Sequence, residues 1–484
     1  MADQNQVKAK AVQGSISLLT RQGLSHPVGF IGNILLARLL IPEDFGIYVI
    51  VNFIVGFLSI FGDIGLGASL IQKHEEPILE DWRAIFTFQQ ILVAALVLIA
   101  FLGAPFIATY YHLSGNAAWL IRVMAVSLII TSFRTIPAMR LERHLEFKKL
   151  ALIEVTETLL FQCTAVILAF LGFGVWSFII GVVTRCTIGT ALIYIIAPWP
   201  IGWQWGWGRI RSFMHFGLPY QGIGLVSFIK DGINPLFIGT LIGTAGAGYI
   251  YWAVLVSNYP LIILAILNRL FFSLFSRLQR DPLGLRVAIE RVLRWNNLFA
   301  LCLLAVLISQ AREITVLIFG EKWLPVVPLL YLLGFGNFFV ASSYPLLALL
   351  NALGKSNVSF TFHVVWMVGT WAFGVPLIKQ FGLIGFGISN MLVQLTNLAL
   401  FGYTQRVIPF RMMTSIGPSL VSFFFAVIVT LGVKQLIPFQ SLVTLIVLAA
   451  VTILLYIGCV LTFWRKDIIQ DTKLVVKVLW PKLG

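Results

Sequence analysis

Apolar residues run along this chain in stretches of about 20, from one end to the other, and each stretch is long enough to cross a bilayer core of about 30 Å. Backbone in lipid must satisfy its own hydrogen bonds, which leaves helices or a closed barrel. Barrel strands alternate apolar and polar positions over about 10 residues. Runs such as Ile91–Phe101 and Leu442–Val460 do not alternate. The pattern therefore predicts an all-α integral membrane protein of fourteen helices, at 14–38, 44–66, 84–108, 118–139, 150–171, 175–197, 212–240, 247–272, 295–318, 326–350, 357–378, 383–404, 414–434 and 442–464. Turn signals separate them at Pro42-Glu43-Asp44, Ser114-Gly115-Asn116, Gly172-Phe173-Gly174, Gly243–Gly248 and Phe381-Gly382.

Two features give the array internal order. A shift of about 200 residues aligns Leu39-Leu40 with Leu241-Ile242, Gly46-Ile47-Tyr48 with Gly248-Tyr249-Ile250, and Gly174 to Phe178 with Gly382 to Phe386. The shift spans an even number of helices, so it describes a parallel pseudo-two-fold repeat of two six-helix lobes, and in such folds substrate sites lie at the interface of the halves. The expected organisation is an N-terminal lobe at 1–198, a Trp-rich connector at 199–211, a C-terminal lobe at 212–410, helices 13 and 14 at 411–464, and a basic amphipathic tail at 465–484. The connector holds Trp199, Trp203, Trp205 and Trp207, an interfacial aromatic cluster. The tail places Ile468, Val475 and Leu479 on one helical face and Lys473 and Lys477 on another, which suits a helix lying on an anionic leaflet.

Charge tests the span count. The 484 residues carry 34 Lys+Arg against 19 Asp+Glu. With a cytoplasmic N-terminus and every span crossing, 23 of the basic residues fall inside the cell, five outside (Arg38, Arg312, Lys322, Lys379, Lys434), and six within spans (Arg21, Arg122, Arg134, Arg185, Lys230, Arg269). This asymmetry is the positive-inside pattern, puts both termini in the cytoplasm, and accounts for the excess charge without a nucleic-acid surface. Cys163, Cys186, Cys302 and Cys459 lie in apolar runs without paired spacing, so no disulfide frame or metal site is expected. The polar N-terminus has no small-residue cleavage site before the first span, and no cleaved signal peptide is expected. No P-loop occurs, and no cofactor is expected.

Several segments resemble a known family. Ala37-Arg-Leu-Leu-Ile-Pro-Glu-Asp-Phe-Gly-Ile-Tyr48, followed by Gly62-Asp-Ile-Gly-Leu-Gly-Ala-Ser-Leu-Ile-Gln72, resembles the first helical hairpin of the polysaccharide transporter family, within the superfamily of multidrug, oligosaccharidyl-lipid and polysaccharide exporters. Asp231-Gly-Ile-Asn234, Gly239 to Gly243, Phe272 to Gln279, Phe319 to Pro325 and Asn351 to Lys355 follow in the family's order, and the resemblance covers about residues 10 to 460. It implies a flippase of isoprenoid-diphosphate-linked oligosaccharide in a bacterial inner membrane, serving exopolysaccharide, capsule or O-antigen export. Membrane lipids are further partners, with polysaccharide polymerase and export machinery beside them. Leu274-Phe275 stands where the family has proline, so a straighter eighth helix is expected.

Ten charges inside spans are costly in lipid, about 2.5–3.5 kcal/mol each on insertion scales, so they must pair, snorkel or line a watered cavity. Arg21, Arg134, Lys230, Arg269 and Arg122 are the candidate cavity cations, because guanidinium and ammonium groups suit a diphosphate. Arg122 and Arg185 have a second reading of equal weight, snorkelling from positions near helix ends or neighbouring turns. Asp231, Glu154, Glu157 and Asp63 are candidates for coupling or ion pairs, with Glu154 and Glu157 on one helix face near Lys148 and Lys149. Asn33, Gln89, Gln90, Tyr220, Gln221, Asn258 and Tyr259 can wall a sugar. An inside-negative potential drives anions outward by about 2.3 kcal/mol per charge per 100 mV, so hydrolysis of a nucleotide is not required. Two alternatives are weaker. A glycan polymerase or ligase needs larger outer loops, and a drug antiporter needs acidic rather than basic residues in its spans.

Overall fold

The computed structural model describes residues 2–63, 70, 76–113, 116–436 and 441–479, and side chains except those of 2–20, 63, 212, 215–227, 229–236, 263, 265–270 and 465–479. No strand occurs among the described residues. The helices are α1 (Ala2–Leu39), α2 (Pro42–Asp63), α3 (Leu79–Tyr110), α4 (Ala117–Arg143), α5 (Phe147–Phe170), α6 (Trp176–Ile196), α7 (Trp207–Asn258), α8 (Ile262–Leu278), α9 (Pro282–Ser309), α10 (Val327–Ala352), α11 (Ser356–Leu395), α12 (Asn397–Val407), α13 (Met412–Leu436) and α14 (Leu442–Leu479).

Eleven stretches among the described residues are long and apolar enough to cross a membrane, and one of them, Ser356–Val407, is 52 residues long. That stretch turns back at Gly382 (φ 58°), and α7 turns at Gly243 (φ 75°). Counting α1, the arm of α7 before Gly243 and the second arm of 356–407 brings the passes to fourteen, the number read from hydropathy. The left-handed φ at both breaks is open to glycine and costly for other residues. Gly174, the repeat partner of Gly382, has a positive φ too (54°), so both matched turns use a φ that glycine adopts freely. Other helix ends follow local chemistry. Pro42 opens α2 with Glu43 and Asp44 in its first turn, and the Asp281 carboxylate accepts from Gly284 N at the start of α9. Leu274 and Phe275 lie inside an unbroken α8, and the break in that pass falls earlier, at the single turn Tyr259–Leu261 containing Pro260.

The chain divides into two compact units, Met1–Tyr251 and Trp252–Gly484. In the first, α5 packs along α1 and α6, and α3 along α4. Its Trp-rich segment is pinned to the start of α3. Arg83 Nε donates to Pro200 O, Gln204 N donates to Thr87 Oγ1 at 2.9 Å, and Arg209 pairs with Glu80 and Asp81 at 3.4 Å. Trp199 is buried and donates to Tyr194 OH, while Trp203, Trp205 and Trp207 are exposed, as interfacial tryptophans are. The second unit holds its helices together with neutral polar pairs. Ser342 Oγ donates to Asn297 Oδ1 at 2.9 Å, Asn337 Nδ2 to Ser257 O at 2.6 Å, and Thr430 meets Thr452 at 3.0 Å. Such small polar contacts join helices where lipid removes the hydrophobic drive to associate.

One crossing in the first unit is unusually tight. A Cβ added at Gly46 in α2 would strike the Thr244 carbonyl, and one added at Gly248 in α7 would strike the Pro42 carbonyl. Thr244 and Pro42 each lie four residues before a glycine of the pair, so the contact is reciprocal, and it joins positions that the repeat equates. Neither backbone carbonyl can step aside. Gly46→Ala is therefore expected to destabilise the protein by about 3 kcal/mol, at the upper end of overpacking costs. Gly103→Ala, which meets open space, is expected to cause no loss. Thermal unfolding in detergent checks both.

Candidate functional site

Helix α5 is apolar along most of its length, and Glu154, Glu157 and Gln162 interrupt it. Glu154 and Glu157 share a face because they are three residues apart. Glu157 stands ten residues, about 15 Å, into α5, close to the helix middle. The charged groups of Lys148 and Lys149 are not the partners of this face, since Lys149 pairs with Glu146. Instead Arg21 of α1 pairs with Glu154, and Arg134 of α4 pairs with Glu157.

Small residues let these groups meet. Helices α1 and α5 run parallel, with Arg21 beside Glu154 and Gly29 and Gly32 beside Gln162. A side chain at Gly32 would overlap the Gln162 amide. A side chain at Gly189 in α6 would overlap the Glu157 carboxylate. The notch left by Gly189 is what allows Glu157 to lie 9% exposed while still reaching Arg134.

Arg185 completes the group. It is the tenth residue of the 21-residue α6, so it sits at mid-helix rather than near an end. Its guanidinium lies 5.7 Å from the centroid of the Phe161 ring. Gly189, one turn further along α6, receives the Glu157 carboxylate, and Phe161 follows Glu157 by one turn of α5, which sets Arg185 beside the group. Among the described residues Arg185 makes no carboxylate ion pair. The three arginines and two glutamates of this group leave one net positive charge, and Arg185 is the one of the three not neutralised by pairing.

The remaining predicted residues fall elsewhere. Arg122 lies five residues into α4, about 18 Å along the helix from Arg134. It donates to Phe101 O at 3.2 Å and lies between Phe101 and Trp119, with centroids at 4.7 and 5.0 Å. The structure does not bring it to the paired group. Gln89 and Gln90 are buried between α3 and α4, where Gln89 Nε2 donates to Thr135 Oγ1 and Gln90 Oε1 accepts from Ser132 Oγ. Asn33 is half-buried in α1, and Asn258 is exposed where α7 ends, next to Tyr259 in the single turn that follows. The side chains of Lys230, Asp231, Arg269, Asp63, Tyr220 and Gln221 lie outside the described residues. Sequence reasoning missed the central depth of Arg185 and the notch at Gly189. A Gly four residues after a mid-span Arg was the available signal.

Removing one partner of a buried ion pair leaves an uncompensated charge. Glu157→Ala is expected to cost about 3 kcal/mol and the exchange Arg134→Glu/Glu157→Arg to recover most of it. The more exposed Arg21–Glu154 pair is expected to contribute about 1 kcal/mol. Thermal unfolding of the purified single variants and the exchanged pair measures these differences.

The sequence is 25% identical over 374 residues to the succinoglycan biosynthesis transport protein ExoT of Rhizobium meliloti (strain 1021), covering 75% of this chain and 74% of that one. It is 24% identical over 388 residues to the lipopolysaccharide biosynthesis protein WzxC of Escherichia coli (strain K12), covering 77% and 76%. The structure resembles the lipid II flippase MurJ in an inward closed conformation, with TM-score 0.74 and 14% identity over 94% of this chain and 100% of that one, a likeness of fold. The model of the polysaccharide biosynthesis protein family matches residues 35–328, more than half of the chain. This chain is a member of the polysaccharide biosynthesis protein family.

Proposed function

We propose that this protein moves an isoprenoid-diphosphate-linked oligosaccharide from the inner to the outer leaflet of a bacterial inner membrane, by alternating access, for assembly of a cell-surface polysaccharide. It is a transporter, not an enzyme. The observation that carries the reading is the mid-helix group of Arg21, Arg134 and Arg185 with, among the described residues, two carboxylates paired to it, in a chain of this family. Two arginines are held in place by ion pairs, and Arg185 is left to meet an anion. A guanidinium presents a planar fork that matches phosphate oxygens, so one unneutralised arginine is enough to attract a diphosphate and hold it loosely. Loose holding suits a carrier, which must also release its load.

The named relatives serve different polymers, succinoglycan in one case and lipopolysaccharide in another, so the lipid-linked diphosphate is the feature common to the proposal and the sugar is not. Lys230 and Arg269 remain proposed contacts to the same headgroup, Asp231 and Asp63 proposed coupling or pairing groups, and both termini are proposed to be cytoplasmic.

The test is translocation of a fluorescent undecaprenyl-diphosphate oligosaccharide in vesicles containing the purified chain. Arg185→Ala is expected to lower the rate at least tenfold at unchanged protein level, and Arg185→Lys to retain part of it. A rate in Arg185→Ala equal to that of the parent would remove Arg185 from the proposed contact. No translocation by the parent chain, with lipid-linked sugars from several pathways tried, would remove the proposal itself.

A further inference from the structure

Away from the arginine group, the part of the α3–α4 hairpin nearest its turn carries one basic residue, Arg122, and no acid. None of residues 82–141 is acidic, and no lysine or arginine other than Arg122 lies between Arg83 and Arg134. Both helices are long and apolar enough to cross a membrane, so the turn that joins them, 111–116, lies at a membrane face. The placing of Arg122 follows from a proline. Pro105 has no N–H, so the Phe101 carbonyl, four residues earlier in α3, lacks its helical donor. Arg122 Nε donates to that oxygen instead, at 3.2 Å.

Two rings hold the rest of the guanidinium. Its central carbon lies 4.7 Å from the centroid of the Phe101 ring and 5.0 Å from that of Trp119. Trp119 is three residues nearer the start of α4, so the Arg122 side chain runs toward the turn and the membrane face, as helical side chains lean. Trp119 is 50% exposed, which leaves the cradle open at the hairpin surface. The charge cannot be shed, because a guanidinium stays protonated in proteins. Among the described residues Arg122 spends one N–H, on Phe101 O, and no carboxylate pairs with it. Its two terminal amino groups are left, held in one plane by the carbonyl and the rings, without a counter-ion among those residues.

We infer that this cradle binds the phosphate of an anionic phospholipid headgroup. Phosphates fill the headgroup layer toward which the side chain runs, and a planar fork meets two phosphate oxygens at once. A guanidinium already held in place gives up less freedom on binding than one that snorkels freely to water. The sign of the headgroup follows from the missing acids. A zwitterionic headgroup brings an ammonium that needs a carboxylate, and residues 82–141 offer none, so a headgroup with one net negative charge, such as phosphatidylglycerol, fits better. The exposed Leu102 and Phe106 of α3 give its acyl chains an apolar surface. This site is separate from the arginine group and does not rest on the transport proposal.

The experiment is native mass spectrometry of the purified full chain in an uncharged detergent, stripped of lipid and titrated with phosphatidylglycerol, phosphatidylethanolamine or phosphatidylcholine of matched acyl chains, beside thermal unfolding. Phosphatidylglycerol is expected to bind about tenfold more tightly than the other two and to raise the unfolding midpoint. Arg122→Gln removes the charge and keeps an N–H for the Phe101 carbonyl. It is expected to unfold as the parent does without lipid and to bind phosphatidylglycerol about tenfold more weakly, the usual worth of a charge-assisted hydrogen bond. Arg122→Lys, which keeps the charge and loses the fork, is expected to fall between the two. Unchanged phosphatidylglycerol binding in Arg122→Gln leaves Arg122 to the Phe101 carbonyl alone and overturns the site. Phosphatidylethanolamine bound by the parent as tightly as phosphatidylglycerol overturns the choice of an anionic headgroup, whether or not the variants fold. Excess inorganic phosphate is expected to leave the bound lipid in place, and displacement by it means that the cradle takes free phosphate and overturns the lipid assignment.

Discussion

A charge that must remain in a low-dielectric layer has to find its opposite, and in this protein that requirement organises the first unit. Glu154 and Glu157 lie near the middle of α5, where a lone carboxylate would cost several kcal/mol to hold ionised. Their arginines arrive from two different helices, α1 and α4. The pairs therefore act as registers. Sliding either helix by one turn, about 5.4 Å, would part the groups and leave both charges uncompensated. Gly32 and Gly189 serve that arrangement by removing side chains from the places where Gln162 and Glu157 lie. Charge pairing and glycine placement are two parts of one solution, since long polar side chains need room beside them to lie flat against a neighbouring helix.

The second unit meets the same lipid with different chemistry. Its buried polar contacts include amide–hydroxyl and hydroxyl–hydroxyl pairs, as between Asn297 and Ser342 or Thr430 and Thr452; of its ion pairs, Lys434–Glu313 at 2.8 Å sits at helix ends and Arg286–Glu290 at 3.2 Å lies in the N-terminal part of α9. Neutral hydrogen bonds in a membrane contribute about 1 kcal/mol each and carry no net charge. The described residues thus give the first unit the mid-span charges and the second a nearly neutral interior. That asymmetry is why the proposed contact to an anionic headgroup lies in α1, α4, α5 and α6, although the two halves of the sequence share turns and span number.

Pairing also changes what a basic residue can do. Arg21 and Arg134 are half-neutralised by their glutamates, so they attract a diphosphate less than free guanidinium groups would, and they hold the local field steady. Arg185, resting on Phe161, keeps its full charge beside them. In the proposed function, such a site would attract an anion through one exposed charge and resist trapping it, because the neighbouring carboxylates repel the same oxygens. A carrier gains from that balance, since each increment of tight binding must be given back on release.

The amino-acid sequence alone determined that the chain spans a membrane as helices, how many times it passes, and where it turns. Those are properties of local transfer free energy and backbone freedom. An apolar run of about 20 residues has few choices in lipid, and Gly174, Gly243 and Gly382 announce left-handed turns without reference to anything distant. The repeat was legible too, in matched glycines. The sequence also named Arg21, Arg134, Glu154 and Glu157 as charges in need of an explanation, but the basic groups it set beside the glutamates were the nearby Lys148 and Lys149, and it left the depth of Arg185 open between mid-span and a helix end. Tertiary structure decided the partners, at separations of 133 and 23 residues. Hydropathy is a one-dimensional quantity that says a helix is in the membrane. Which of its faces meets which neighbour depends on rotation and register, and those are settled only when several helices pack at once.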